Sequence, residues 1–194
     1  MKEKNLNENI KKLKKLREVR ELFVIIDMVN GFVKEGSLAA PSINRIVPRI
    51  KKLLDYYLAK DDGLVAIIRD SHPINAVEFK TYAPHCIEGT KESLLIDELK
   101  YAENNSLTYL KNSTNLVFAP GFINDLKEME NLKTVGFAGC LSEVCVENGA
   151  ISTKNLLDEL NRDVEVRVYE NMIDTYDAPG HNPEEVTKNA LERM

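Results

Sequence analysis

Four side chains capable of chemistry recur at equivalent places in this 194-residue chain. Each stands just after a short apolar run. They are Asp27 in FVIIDMVNGF, Asp70 in VAIIRDSH, Lys111 in LTYLKNST and Cys145 in VGFAGCLSEVCVENGA. A cysteine thiolate is a strong nucleophile, and the free N–H groups at a helix start favour negative charge and lower a thiol pKa. Lys111 would add to that effect. Asp27 suits the base that takes the thiol proton and hands it to a leaving group. The turn just before Cys145 offers backbone N–H groups for an oxyanion. Residue types alone leave Cys145 equally readable as a nucleophile or as a small buried apolar residue. Cys86 and Cys140 read as packing.

A second constellation spans Asp70-Ser71-His72, Glu78 and Tyr82-Ala83-Pro84-His85-Cys86. Residues two apart in extended chain face the same way, so Asp70 and His72 share a side. His85 is near enough for a loop to return it. A carboxylate with two imidazoles suits a borderline divalent ion such as zinc, iron or manganese. The same residues also suit a polar loop whose histidines cap helices or bond backbone. Glu78 is a further candidate ligand, or a solvated carboxylate. The third histidine, His181, follows an Ala-Pro-Gly turn and reads as structural or pocket-lining.

Groups at run ends matter only if something aligns them. Apolar runs at 22–26, 64–68, 107–110, 132–138 and 164–168 suit buried strands. Helical spacing fills the intervals at 43–59, 94–99, 122–129, 143–160 and 183–193. Alternating strand and helix predicts an α/β fold: a doubly wound, mainly parallel sheet with helices on both faces. In such sheets ligands bind beyond the carboxyl ends of the strands, where the four groups stand.

Composition narrows the class. The net charge of −5 divides into +5 over residues 1–20 and −10 over the remainder. An acidic body gives no general attraction to nucleic acid, and no apolar run approaches the ~20 residues of a membrane span. The basic stretch predicts an amphipathic helical extension over residues 1–20, with Leu6, Ile10, Leu13 and Leu16 packed on a single domain, 21–194. It lacks the apolar region of a secretory signal, and three scattered cysteines suit free thiols. Both point to the cytoplasm.

The chain resembles the cysteine hydrolases of the isochorismatase-like superfamily, and within it the nicotinamidases. The motifs that carry the resemblance are Asp27 with Phe32, Asp70-Ser71-His72, Tyr82-Ala83-Pro84-His85-Cys86, Gly89-Thr90, Lys111 and Gly139-Cys140-Leu141-Ser142-Glu143-Val144-Cys145-Val146. Ser142-Glu143 replaces the usual Thr-Asp, and Tyr82 stands where Trp or Phe is common. The resemblance implies that Asp27, Lys111 and Cys145 are catalytic. It implies a cis Cys140–Leu141 peptide, and an oxyanion hole from the N–H groups of Leu141 and Cys145. It implies ring walls from Phe32 and Tyr82. It also implies one divalent ion, zinc first, on Asp70, His72, His85 and Glu78, anchoring the pyridine nitrogen.

The expected activity is hydrolysis of nicotinamide to nicotinate and ammonia through a cysteine thioester, in NAD salvage. The expected partner is a small amide, with neither nucleic acid nor membrane, and a homo-oligomer is compatible. Two readings compete. One keeps the fold and changes the substrate to another amide, a carbamoyl compound or isochorismate. The other is a non-catalytic α/β signalling module. Such a module needs an acidic pair after the first strand and an aspartate after the third. Here Met28 follows Asp27, and the third strand ends in Lys111.

Overall fold

The computed structural model describes Lys12 and residues 15–194. Five strands form one sheet: β1 (Glu21–Ile26), β2 (Gly63–Asp70), β3 (Leu107–Lys111), β4 (Thr134–Cys140) and β5 (Glu165–Asp174). Their order is β3-β2-β1-β4-β5, and every neighbouring pair is parallel. Strands β1, β2 and β4 are apolar along almost their whole length because helices cover both faces.

The helices are α1 (Asn30–Val33), α2 (Val47–Leu58), α3 (Phe122–Glu128), α4 (Glu147–Glu159) and α5 (Pro183–Arg193). Period-two alternation in β1 splits the core in two. Leu22, Val24 and Ile26 pack with Phe122, Leu126, Ala150 and Leu157 of α3 and α4. Phe23 and Ile25 pack on the opposite face with Ile50, Leu54 and Tyr57 of α2. The Phe23 and Tyr57 rings stack with centroids 5.1 Å apart. Helix α5 opens on Pro183, and the Asn182 side chain accepts from the N–H groups of Glu184 and Glu185 at 3.0 and 3.1 Å.

Strand positions follow the apolar runs, but three details differ. The expected helix at 94–99 is a series of turns. Its backbone is engaged elsewhere: Asn30 N–H donates to Leu94 O, and Ile96 N–H donates to Met28 O. Burial of Leu95, Ile96 and Leu99 is thus achieved by pairing with the segment after β1. Strand β5 runs on through Glu170 and Asn171 to Asp174, which the Arg45 guanidinium grips with two bonds of 2.7 and 2.8 Å. The 43–59 helix begins as a 3-10 turn, Pro41–Ile46, before α2.

Of the expected N-terminal helix, Leu16 is buried in the core and Lys15 to Glu18 are helical. Leu6, Ile10 and Leu13 lie outside the described residues. Among the described residues no helix is long and apolar enough to cross a membrane.

Candidate active site

The sheet brings the four groups to one rim. Asp27 follows the last residue of β1, while Asp70 and Lys111 end β2 and β3 and are register partners. The direction of winding reverses between β1 and β4, and that crevice is where an open α/β sheet binds ligands. Beyond β4 the chain enters a π-helical turn, Ser142–Val146, that leads into α4 and carries Cys145. Gly139 makes the approach to that turn feasible. Its φ is +121°, and a Cβ there would lie 2.0 Å from the Ile26 carbonyl oxygen. The Cys140–Leu141 peptide is cis.

Lys111 is the hub. Its Nζ donates to Asp70 Oδ1 at 2.7 Å, lies 2.8 Å from Asp27 Oδ2 and 3.6 Å from Cys145 Sγ. All four groups are buried. The Lys111–Asp27 contact is poorly aligned, so among the described residues neither Asp27 oxygen has a well-directed donor. Burial pushes the Asp27 carboxyl up, Lys111 opposes and the Asp70 charge adds, leaving it at about 6. Burial also resists the Asp70 charge. Lys111 and the two histidines outweigh it and hold Asp70 well below the usual carboxylate range. Burial works against the Lys111 ammonium, but the two aspartates keep it firmly charged.

The Cys145 thiol runs against expectation. A helix start and a neighbouring Lys111 favour a lowered pKa. Burial is the largest cause and pushes it up; Lys111 pulls it down, Asp27 and Asp70 raise it again, and the balance keeps it a thiol. A nucleophile in that state needs a base beside it, and Asp27 shares the Lys111 ammonium with it, at 2.8 Å against 3.6 Å for the sulfur.

Asp70 turns its other oxygen to the second constellation. Oδ2 lies 3.0 Å from His72 Nε2 and 3.3 Å from His85 Nε2, with Glu78 Oε1 4.0 Å from His85 Nε2. One ligand atom from each of the four lies within 4.8 Å of the others. The far nitrogens are engaged: His85 Nδ1 with the Ala83 carbonyl at 2.8 Å, and His72 Nδ1 with Asn112 Oδ1 at 2.7 Å. Both partners are acceptors, so each Nδ1 carries the proton. In the neutral ring each Nε2 then carries a lone pair, on the side where Asp70 lies. Buried His72 Nε2 has no aligned partner. Converging lone pairs and carboxylates fit a divalent cation.

A small cavity joins the two sets. It is lined by Cys145, Leu141, Phe32 and Tyr82 together with Asp70, Glu78 and His85. The site residues expected from sequence are therefore brought together. His181 stands apart, with Nε2 3.1 Å from Glu143 and its ring stacked on Tyr176. Cys86 and Cys140 are fully buried, consistent with packing. Sequence reasoning missed Asn112, Phe79 and Leu38. Phe79 packs its ring against both His72 and His85. Asn112 and Phe79 directly follow Lys111 and Glu78, and that adjacency was the one available signal.

A parallel α/β sheet that gathers a cysteine, a lysine and two aspartates at its carboxyl rim, beside a metal-type donor set, defines a class of small-molecule hydrolase. The isochorismatase domain model matches residues 21–194, and the chain belongs to that family. It is 30% identical to nicotinamidase 1 of Arabidopsis thaliana, across 81% of this chain and 70% of that one. The pyrazinamidase/nicotinamidase of Streptococcus mutans shares the fold with a TM-score of 0.74 and 21% identity, covering 89% and 93% of the two chains. The pyrazinamidase of Pyrococcus horikoshii, solved in complex with zinc, gives 0.71 and 21% over the same shares.

Proposed function

We propose that the protein is a nicotinamidase: it hydrolyses nicotinamide to nicotinate and ammonia through a thioester on Cys145, as a step of NAD salvage in the cytoplasm. One observation carries the reading. The cavity that exposes Cys145 also exposes Asp70, Glu78 and His85, so a carboxamide and a ring nitrogen can be addressed together. Nicotinamide offers both groups on one flat ring, and Phe32 and Tyr82 supply apolar walls. The identity to a nicotinamidase points the same way.

The chain's own residues do the following. Asp27 accepts the thiol proton as Cys145 Sγ bonds to the carboxamide carbon. The N–H groups of Leu141 and Cys145 hold the oxyanion. Asp27 returns the proton to the nitrogen as the C–N bond breaks and ammonia leaves. Water then attacks the thioester, Asp27 takes its proton, and nicotinate departs as the thiol reforms. Lys111 stays charged throughout and balances Asp27. A divalent ion on Asp70, His72, Glu78 and His85, zinc first and iron or manganese next, would supply a Lewis-acid contact for the ring nitrogen.

The test is ammonia release from a panel of small amides, with and without chelator. Nicotinamide turnover that falls on chelation is expected. Turnover of a ureido compound, with none of nicotinamide, refutes the proposal in favour of a carbamoyl-amide hydrolase.

A further inference from the structure

The catalytic cavity continues outward. Phe32, Leu38, Tyr82 and Leu141 line it and also line a neighbouring hollow. The inner cavity measures about 50 Å³ and the outer hollow about 560 Å³. One aromatic ring with its carboxamide is larger than the inner space but much smaller than the two together, so most of the outer hollow stays uncovered. The outer hollow is walled on one side by residues 37–42 and on the other by Tyr176 and Asp177. Its surface is mostly apolar, and among the described residues Asp177 is the one charged residue in the lining.

Two features mark it as a built site. Tyr82 and Tyr176 keep 42% and 39% of their surface exposed there, and half-wet rings beside an apolar hollow gain when a ligand covers them. The Tyr176 wall is also anchored. Its ring stacks on His181 with centroids 3.8 Å apart and planes 6° apart. His181 Nε2 in turn meets Glu143 Oε1 at 3.1 Å, and Thr175 Oγ1 donates to the same oxygen at 2.9 Å. Glu143 belongs to the turn that carries Cys145, so wall and nucleophile are held in one frame. A preformed apolar hollow continuous with a reactive centre is a natural substrate subsite.

We infer that this hollow takes a substituent of the substrate: the enzyme accepts aryl carboxamides bearing an apolar extension whose far end is neutral or cationic, and disfavours an anionic end. The inference rests on the proposed amidase chemistry at Cys145. It assigns residues 37–42, Tyr176 and Asp177 to specificity.

The test uses nicotinamide and analogues carrying a phenylalkyl extension at each free ring carbon in turn, ended by hydrogen, an amine or a carboxylate. Calorimetry on Cys145→Ala reads binding without turnover. For at least one ring position, the neutral and amine-ended compounds should bind about tenfold tighter than nicotinamide, the scale of a well-filled apolar contact. The carboxylate-ended compound should bind more weakly than the amine-ended one. Adding Ser42→Trp should remove the gain and leave nicotinamide binding unchanged. Asp177→Lys should reverse the amine-over-carboxylate order. The wild type should release ammonia from the extended amides.

Nicotinamide turnover without any gain from extension, and with Ser42→Trp inert, overturns the subsite alone. Turnover of extended amides but not of nicotinamide supports the subsite and overturns the nicotinamidase proposal. No ammonia from any amide overturns both.

Discussion

Asp27→Asn should make the protein inactive and more stable. Asp27 is fully buried, and its carboxyl is carried from an ordinary 3.8 to about 6, with burial as the largest cause. A folded-state pKa above the unfolded one means that the fold prefers the protonated acid. Ionised Asp27 therefore opposes folding. The penalty is negligible below 3.8, grows as pH rises through the interval, and is complete above about 6. At 1.36 kcal/mol per tenfold change in proton affinity, it reaches about 3 kcal/mol.

Asparagine keeps the shape and loses the charge, and Lys111 retains Asp70 as a partner at 2.7 Å. Weakening the contact between Lys111 and residue 27 returns about 1 kcal/mol. The net gain is about 2 kcal/mol at pH 8, or roughly 4–8 °C in Tm for a chain of this size. At pH 4 the two proteins should melt nearly together. The assay is a pair of thermal melts on chelator-treated protein at the two pH values, with ammonia release alongside. A variant that melts below wild type at pH 8, or an advantage that persists undiminished at pH 4, refutes the reasoning.

Other substitutions address separate parts of the site. Cys145→Ala should abolish ammonia release while circular dichroism and Tm stay close to wild type, because a small buried side chain is trimmed by one atom; residual turnover removes Cys145 from its role. His72→Ala should deplete bound metal after dialysis, measured by elemental analysis, and full occupancy would exclude it as a ligand. Asn112→Ala should lower metal affinity about 10- to 100-fold by freeing His72 Nδ1, and Asn112→Asp should restore it; equal affinity in both variants would show that the 2.7 Å contact does not orient the ring. Gly139→Ala should cost several kcal/mol or prevent folding, since its Cβ meets the Ile26 carbonyl at 2.0 Å; an unchanged urea midpoint would contradict that.

How much of this was legible beforehand differs by element. The strands were, because central parallel strands buried on both faces must be continuously apolar, as β1 and β4 are. Edge strand β5 was legible only in its first half. Its residues alternate between exposed and half-buried, and at Glu170 and Asn171 the apolar run breaks and the pairing with β4 slips, resuming at Gly139 and Ile173. The turns at 94–99 misled because Leu95, Ile96 and Leu99 sit at helical spacing, while backbone partners across the chain chose another geometry. The reactive residues were legible because strand ends are predictable places. Their electrostatics were not. The thiol pKa depends on the balance of Lys111, Asp27 and Asp70 in a dry site, and spacing carries no information on that balance. Asn112 was invisible for a related reason: an amide's worth here lies in which nitrogen it meets.

Asp70 answers to two sets of neighbours at once. One oxygen serves Lys111 at 2.7 Å, and the other faces His72 and His85 at 3.0 and 3.3 Å. A single codon is thus pleiotropic, coupling the heritable fate of the nucleophile's counter-charge to that of the metal donors. A lineage drifting away from metal cannot discard this carboxylate with the histidines, because the lysine still claims it. Divergence of the donor set should proceed through His72, Glu78 and His85 while position 70 stays fixed.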